Sequence, residues 1–90
     1  MTAPRVLVVD DEANIRRIVT SYLRADGFEV VEAADGRAAL AVFDRTSPDL
    51  VILDVMMPGM DGIEVLRELR RRSEVYVIML PGMGASLEIL

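Results

Sequence analysis

Residues 5–12 read Arg-Val-Leu-Val-Val-Asp-Asp-Glu, and residues 50–54 read Leu-Val-Ile-Leu-Asp. Both are short unbroken apolar runs that stop abruptly at carboxylates. A run without polar alternation suits a strand covered on both faces, as in a parallel sheet. Between them the period changes. Ile15, Ile18, Val19, Tyr22 and Leu23 recur as one helical stripe, which places Arg16, Arg17, Thr20 and Arg24 on the opposite face. Asp26-Gly27 ends that helix, with Gly27 suited to the left-handed position after the last turn. Residues 28–32 read as a second strand, nearer an edge. Asp35 is placed to cap a short helix to about residue 44, with Leu40 and Phe43 as core candidates, and Ser47-Pro48 breaks it. Asp61-Gly62-Ile63-Glu64 has the form of a capping box opening a helix to about residue 72, with Ile63, Leu66 and either Leu69 or Arg70 facing inward. Residues 74–80 form a fourth strand, and beyond them the pattern dissolves into a turn and either one helical turn or a short strand. The alternation predicts a parallel sheet with right-handed crossovers and helices on both faces.

Composition narrows the chemistry. Ninety residues bound the chain to one small domain, and 52% apolar content is too high for a disordered one. Without cysteine or histidine there is no disulfide, thiolate metal site, histidine-based proton transfer or cysteine nucleophile. All 10 basic residues are arginine; against 15 acidic ones they leave a net charge of −5. That balance argues against a nucleic-acid-binding module, whose footprint is basic. No apolar run reaches the roughly 18–20 residues that a bilayer span needs, and the N-terminus lacks a signal-peptide pattern. The expected class is a soluble, cytoplasmic, acidic α/β domain.

In open parallel sheets, sites form at the carboxyl ends of strands. Asp10 and Asp11 end the first strand and Asp54 ends the third. If those strands are neighbours, roughly 4.8 Å apart, three carboxylates share one small volume and repel. Mg²⁺, a hard cation that takes oxygen ligands and keeps several waters, would relieve the repulsion. It would also neutralise an incoming phosphoryl group attacked by a carboxylate nucleophile. The bland alternative is that Asp10 and Asp11 only cap the following helix, and that Asp54 only bonds turn amides.

The segments Val-Leu-Val-Val-Asp10-Asp11-Glu12 and Leu-Val-Ile-Leu-Asp54-Val-Met-Met-Pro58-Gly-Met-Asp61-Gly62 resemble the response-regulator receiver domain of bacterial two-component signalling. The intervening residues 24–40 match in register as well, so the resemblance spans residues 4–80. It implies a three-layer, flavodoxin-like (CheY-like) parallel sheet, here incomplete: four strands and three helices over residues 1–80, with an irregular tail at 81–90. It also implies that Asp54 accepts a phosphoryl group. Asp10, Asp11 and Asp54, with the backbone carbonyl of Met56, would hold Mg²⁺. Pro58, Gly59 and Gly62 would shape the loop and open the third helix. The phosphoryl donor would be a sensor histidine kinase or a small phosphodonor. The opening sequence is most similar to receivers that precede a winged-helix DNA-binding domain, but direct nucleic-acid or membrane binding is not expected of this chain.

The resemblance fails at two positions. Where the family carries a switch Ser or Thr after the fourth strand, this chain has Pro81, which offers neither hydroxyl nor N–H. The family's phosphate-pairing lysine is excluded in a chain without lysine. Phosphorylation is therefore expected to be impaired. The competing reading is a non-catalytic receiver-like scaffold for dimerisation or kinase docking. A phosphatase is disfavoured because the first strand ends in Asp-Asp-Glu rather than Asp-x-Asp. An uncovered fourth strand is expected to form an edge, covered by Leu87, Ile89 and Leu90 of the same subunit or of a homodimer partner.

Overall fold

The computed structural model describes residues 3–81 and, further on, the two-residue strand Glu88–Ile89. Strands β1 (Arg5–Val9), β2 (Glu29–Ala33), β3 (Leu50–Asp54) and β4 (Tyr76–Leu80) alternate with helices α1 (Ala13–Ala25), α2 (Gly36–Thr46) and α3 (Gly62–Arg72). The sheet order is β2-β1-β3-β4, all parallel, and β5 (Glu88–Ile89) adds antiparallel to β4. This is the flavodoxin-like order, in which β1 and β3 are neighbours at the point where the winding reverses. The expected elements are all present, with the second strand shifted by one residue. Of the two alternatives left open beyond residue 80, the short strand is the one present. Ile89 pairs with Ile78 and Glu88 with Met79, so part of the β4 edge is hydrogen-bonded within the chain. The packing expected of Leu87, Leu90 and the Ile89 side chain falls outside the described residues.

Strand parity divides the core. Leu7, Val9, Val51, Leu53, Val77 and Met79 point to one face, where they are buried against Ala39 and Phe43 of α2 and Val65 and Leu69 of α3. Val6, Val8 and Ile52 point to the other, which α1 covers through Val19 and Leu23. Among the described residues two helices lie on one face and one on the other, and Ile78 and Leu80 are half-buried.

Two sequence expectations about helix faces are overturned. In α1, Ile15, Ile18 and Tyr22 are exposed, Tyr22 to 74%, whereas Thr20 is buried. The helix packs on β1 and β2, so its apolar stripe splits: Val19 and Leu23 reach the sheet and the rest stay in solvent. In α3, Leu69 faces the core and Leu66 packs against it as expected, but Val65 is buried there as well and Ile63 is exposed, because the first turn is pressed to β3 through Gly62 rather than through Ile63.

Local signals act as expected. The Asp35 carboxylate accepts the Ala38 N–H (2.8 Å) and the Asp61 carboxylate the Glu64 N–H (3.0 Å), capping α2 and α3. Gly27 follows α1 with φ +91°. Among the described residues, no helix is long and apolar enough to cross a membrane.

Candidate phosphoacceptor and cation site

Because β1 and β3 are adjacent and parallel, their carboxyl ends bring Asp10, Asp11 and Asp54 together. One carboxylate oxygen from each lies within 4.8 Å of the others. Asp10 and Asp54 are nearly enclosed, at 4% and 9% exposure, and Asp11 faces solvent. The alternative reading of these acids holds in part: the Asp54 carboxylate does accept a turn amide, that of Met56 (3.0 Å), whereas neither Asp10 nor Asp11 is the N-cap of the following helix. The N-cap of α1 is Glu12, which has no side-chain cap bond, and the Asp10 carboxylate instead accepts the Glu12 N–H at 2.9 Å. Among the described residues, no ion pair involves any of the three acids.

The electrostatic consequence falls on Asp54. Burial raises its pKa from 3.8 to about 6, the Met56 N–H at 3.0 Å opposes the rise, and the charges of Asp10 and Asp11 add to it. Three hard oxygen donors, one exposed and two fixed, form a set that fits a divalent cation with room for waters.

The loop expected to shape the site begins directly after Asp54. Met56 turns its side chain out (68% exposed) while its amide is held by Asp54. Gly59 adopts φ +74°, a left-handed conformation that favours glycine, beside the exposed Pro58. Gly62 returns the chain: its N–H donates to the Val55 carbonyl (3.0 Å). A Cβ on Gly62 would collide with the Asp54 carbonyl oxygen and lie 2.7 Å from the Val55 Cα. Pro81 follows Leu80, which is in register with Asp54, and the Leu80 carbonyl accepts the Val55 N–H at 3.1 Å. The proline therefore sits one residue beyond the partner of Asp54, at the end of the neighbouring strand.

Sequence reasoning missed Arg16, which it assigned to the solvent face. Its guanidinium donates to the Asp10 main-chain oxygen (2.7 Å) and pairs with Glu32 of β2 (3.1 Å). Periodicity could not reveal this, because the contact depends on how α1 is rotated over the sheet.

Fold and site together define a receiver, and the comparisons agree. The sequence profile of the response regulator receiver domain matches residues 6–88, past the point where the motif resemblance stops. The chain belongs to this family of two-component signalling proteins. It is 49% identical over 84 residues to the "Probable transcriptional regulator ycf27" of Porphyridium aerugineum, covering 93% of this chain and 35% of that protein. It is 45% identical over 83 residues to the sensory transduction protein RegX3 of Mycobacterium tuberculosis, covering 92% of this chain and 37% of that one. Thus the chain spans about a third of the length of these curated relatives. Among solved structures, the chemotaxis response regulator CheY4 of Vibrio cholerae superposes with TM-score 0.87 at 39% identity, over 93% of this chain and 72% of that one. The response regulator TrrA of Thermotoga maritima, solved in complex with Mg²⁺-BeF, gives TM-score 0.85 at 41% identity, over 90% and 71%.

Proposed function

We propose that this receiver accepts a phosphoryl group on Asp54 from the phosphohistidine of a sensor kinase or from a small phosphodonor. The observation that carries the reading is the convergence of Asp10, Asp11 and Asp54 at the carboxyl ends of β1 and β3. An Asp54 carboxylate oxygen attacks phosphorus, the P–N bond to the donor imidazole breaks as the new P–O bond forms, and the departing ring nitrogen takes its proton from solvent. Water then attacks the acyl phosphate slowly, the Asp54 O–P bond breaks, and inorganic phosphate leaves the regenerated carboxylate, so the domain is a phosphoacceptor rather than an enzyme with turnover. Asp10, Asp11, Asp54 and the Met56 carbonyl would hold Mg²⁺, which supplies charge neutralisation for the approaching phosphoryl oxygens. Pro58, Gly59 and Gly62 keep the loop and the start of α3 close to Asp54.

Two departures weaken this chemistry. Pro81 has no hydroxyl or N–H to offer a phosphoryl oxygen, and the chain contains no lysine to pair with one. Loss of one preorganised donor costs on the order of 10²–10³ in rate in comparable sites, so phosphorylation is slow. The same departures favour a second reading: a receiver scaffold, working in the cytoplasm, that docks a kinase or pairs with another copy without chemistry.

The test is incubation with Mg²⁺ and acetyl phosphate, followed by intact-mass measurement. One phosphoryl increment, absent in Asp54→Asn, is expected. A chain that takes up no phosphoryl group and shows no Mg²⁺-dependent spectral change would leave the scaffold reading.

A further inference from the structure

If the acid trio is a cation site, as proposed above, the way Asp10 is held bears on it. Asp10 is fixed at three points. Its N–H donates to the Ala33 carbonyl of β2 (3.2 Å), its carboxylate accepts the Glu12 N–H (2.9 Å), and its carbonyl oxygen accepts from Arg16 (2.7 Å). Only the last comes from a cation. The same guanidinium is anchored by Glu32, the residue immediately before Ala33 on the same strand. Arg16 is also the least exposed of the ion-paired arginines, with a side chain 20% accessible against 35% or more for Arg5, Arg71 and Arg72. Its contact with Asp10 is to the main chain and not to the carboxylate, so its influence on the site runs through geometry.

We infer that Arg16 is a positioning residue of the cation site, a guanidinium bridge that ties α1 and β2 to the main chain of Asp10 and so sets where its carboxylate points. A planar fork with several donors can bond a carbonyl and a carboxylate at once, which an ammonium group does less well. Outer partners that orient metal ligands typically contribute 10–100-fold to metal affinity.

The experiment is a Mg²⁺ titration of the full chain followed by backbone amide NMR shifts, with thermal melting of each variant in the absence of Mg²⁺. Arg16→Met is expected to weaken Mg²⁺ binding about tenfold. The Asp10 amide should lose more of its Mg²⁺-induced shift than the Asp11 amide. Glu32→Gln, on the exposed edge strand, should weaken binding by less, and Arg16→Met/Glu32→Gln should be no weaker than Arg16→Met alone, because Glu32 acts through Arg16. Arg16→Lys, which keeps the charge but loses the fork, should fall between parent and Arg16→Met; it carries the test if Arg16→Met does not fold. Parent-like Mg²⁺ affinity in the Arg16 variants, or additive effects at Arg16 and Glu32, overturns the inference while the cation-site reading stands. A parent chain that does not bind Mg²⁺ overturns both.

Discussion

Asp54 carries a cost that its neighbours do not relieve. Its carboxyl titrates near 6 rather than 3.8, chiefly because it is buried, with Asp10 and Asp11 adding repulsion. Between those values the folded chain keeps a proton that the unfolded chain has released. Stability therefore falls as pH rises through this window, and the loss is complete above about pH 6. A shift of this size corresponds to at most about 3 kcal/mol. In metal-free buffer, Asp54→Asn should melt above the parent at about pH 8 and coincide with it below about pH 4. Adding Mg²⁺ should narrow the gap at high pH. Equal melting temperatures at both pH values would show that burial places no charge penalty on Asp54. The acids were legible in the sequence because each ends an apolar run, a purely local signal. Arg16 was not, since its partners are 6 and 16 residues away and are brought to it by the crossover.

At the level of elements, the join between β3 and α3 is the tightest contact near the site. Gly62 lets the first turn of α3 rest on the main chain of Asp54 and Val55, with no room for a Cβ. The obstacle is backbone and cannot rotate aside, so Gly62→Ala should cost roughly 1–3 kcal/mol in urea denaturation despite alanine's better helix propensity. The same substitution should weaken Mg²⁺ binding, because relief of the clash moves the loop that follows Asp54. An unchanged denaturation midpoint would show that α3 has slack against the sheet. The existence and order of the elements were readable from period and punctuation. Asp35 and Asp61 act as the caps that their positions suggested, because a cap needs only the next three residues. The rotation of α1 was not readable, since a stripe of five apolar residues does not say which of them meets the sheet.

Across the whole molecule, the two faces of the sheet are unequally covered. The face under α2 and α3 holds the larger core, while the α1 face leaves Ile15, Ile18 and Tyr22 in solvent and Ile78 and Leu80 half-buried. Mutational sensitivity should follow that asymmetry. Leu69→Ala, at 1% exposure, should destabilise by about 2–5 kcal/mol. Ile18→Glu, at a position 53% exposed, should change stability by no more than about 0.5 kcal/mol and improve solubility. Chemical denaturation of both variants checks the contrast, and a large loss from Ile18→Glu would show that this face is covered in solution.

What could be read before any coordinates was whatever depends on neighbours in sequence: the strand runs, the caps, the carboxylates at the strand ends, and the missing hydroxyl and lysine. The adjacency of β1 and β3, the enclosure that raises Asp54, the placement of Pro81 one residue beyond the partner of Asp54, the bridge from Arg16 to Asp10 and the pairing of β5 with β4 all join residues distant along the chain. These follow from the crossovers and from which face each helix covers, and periodicity is silent on both because it reports spacing and not the direction in which a packed surface points.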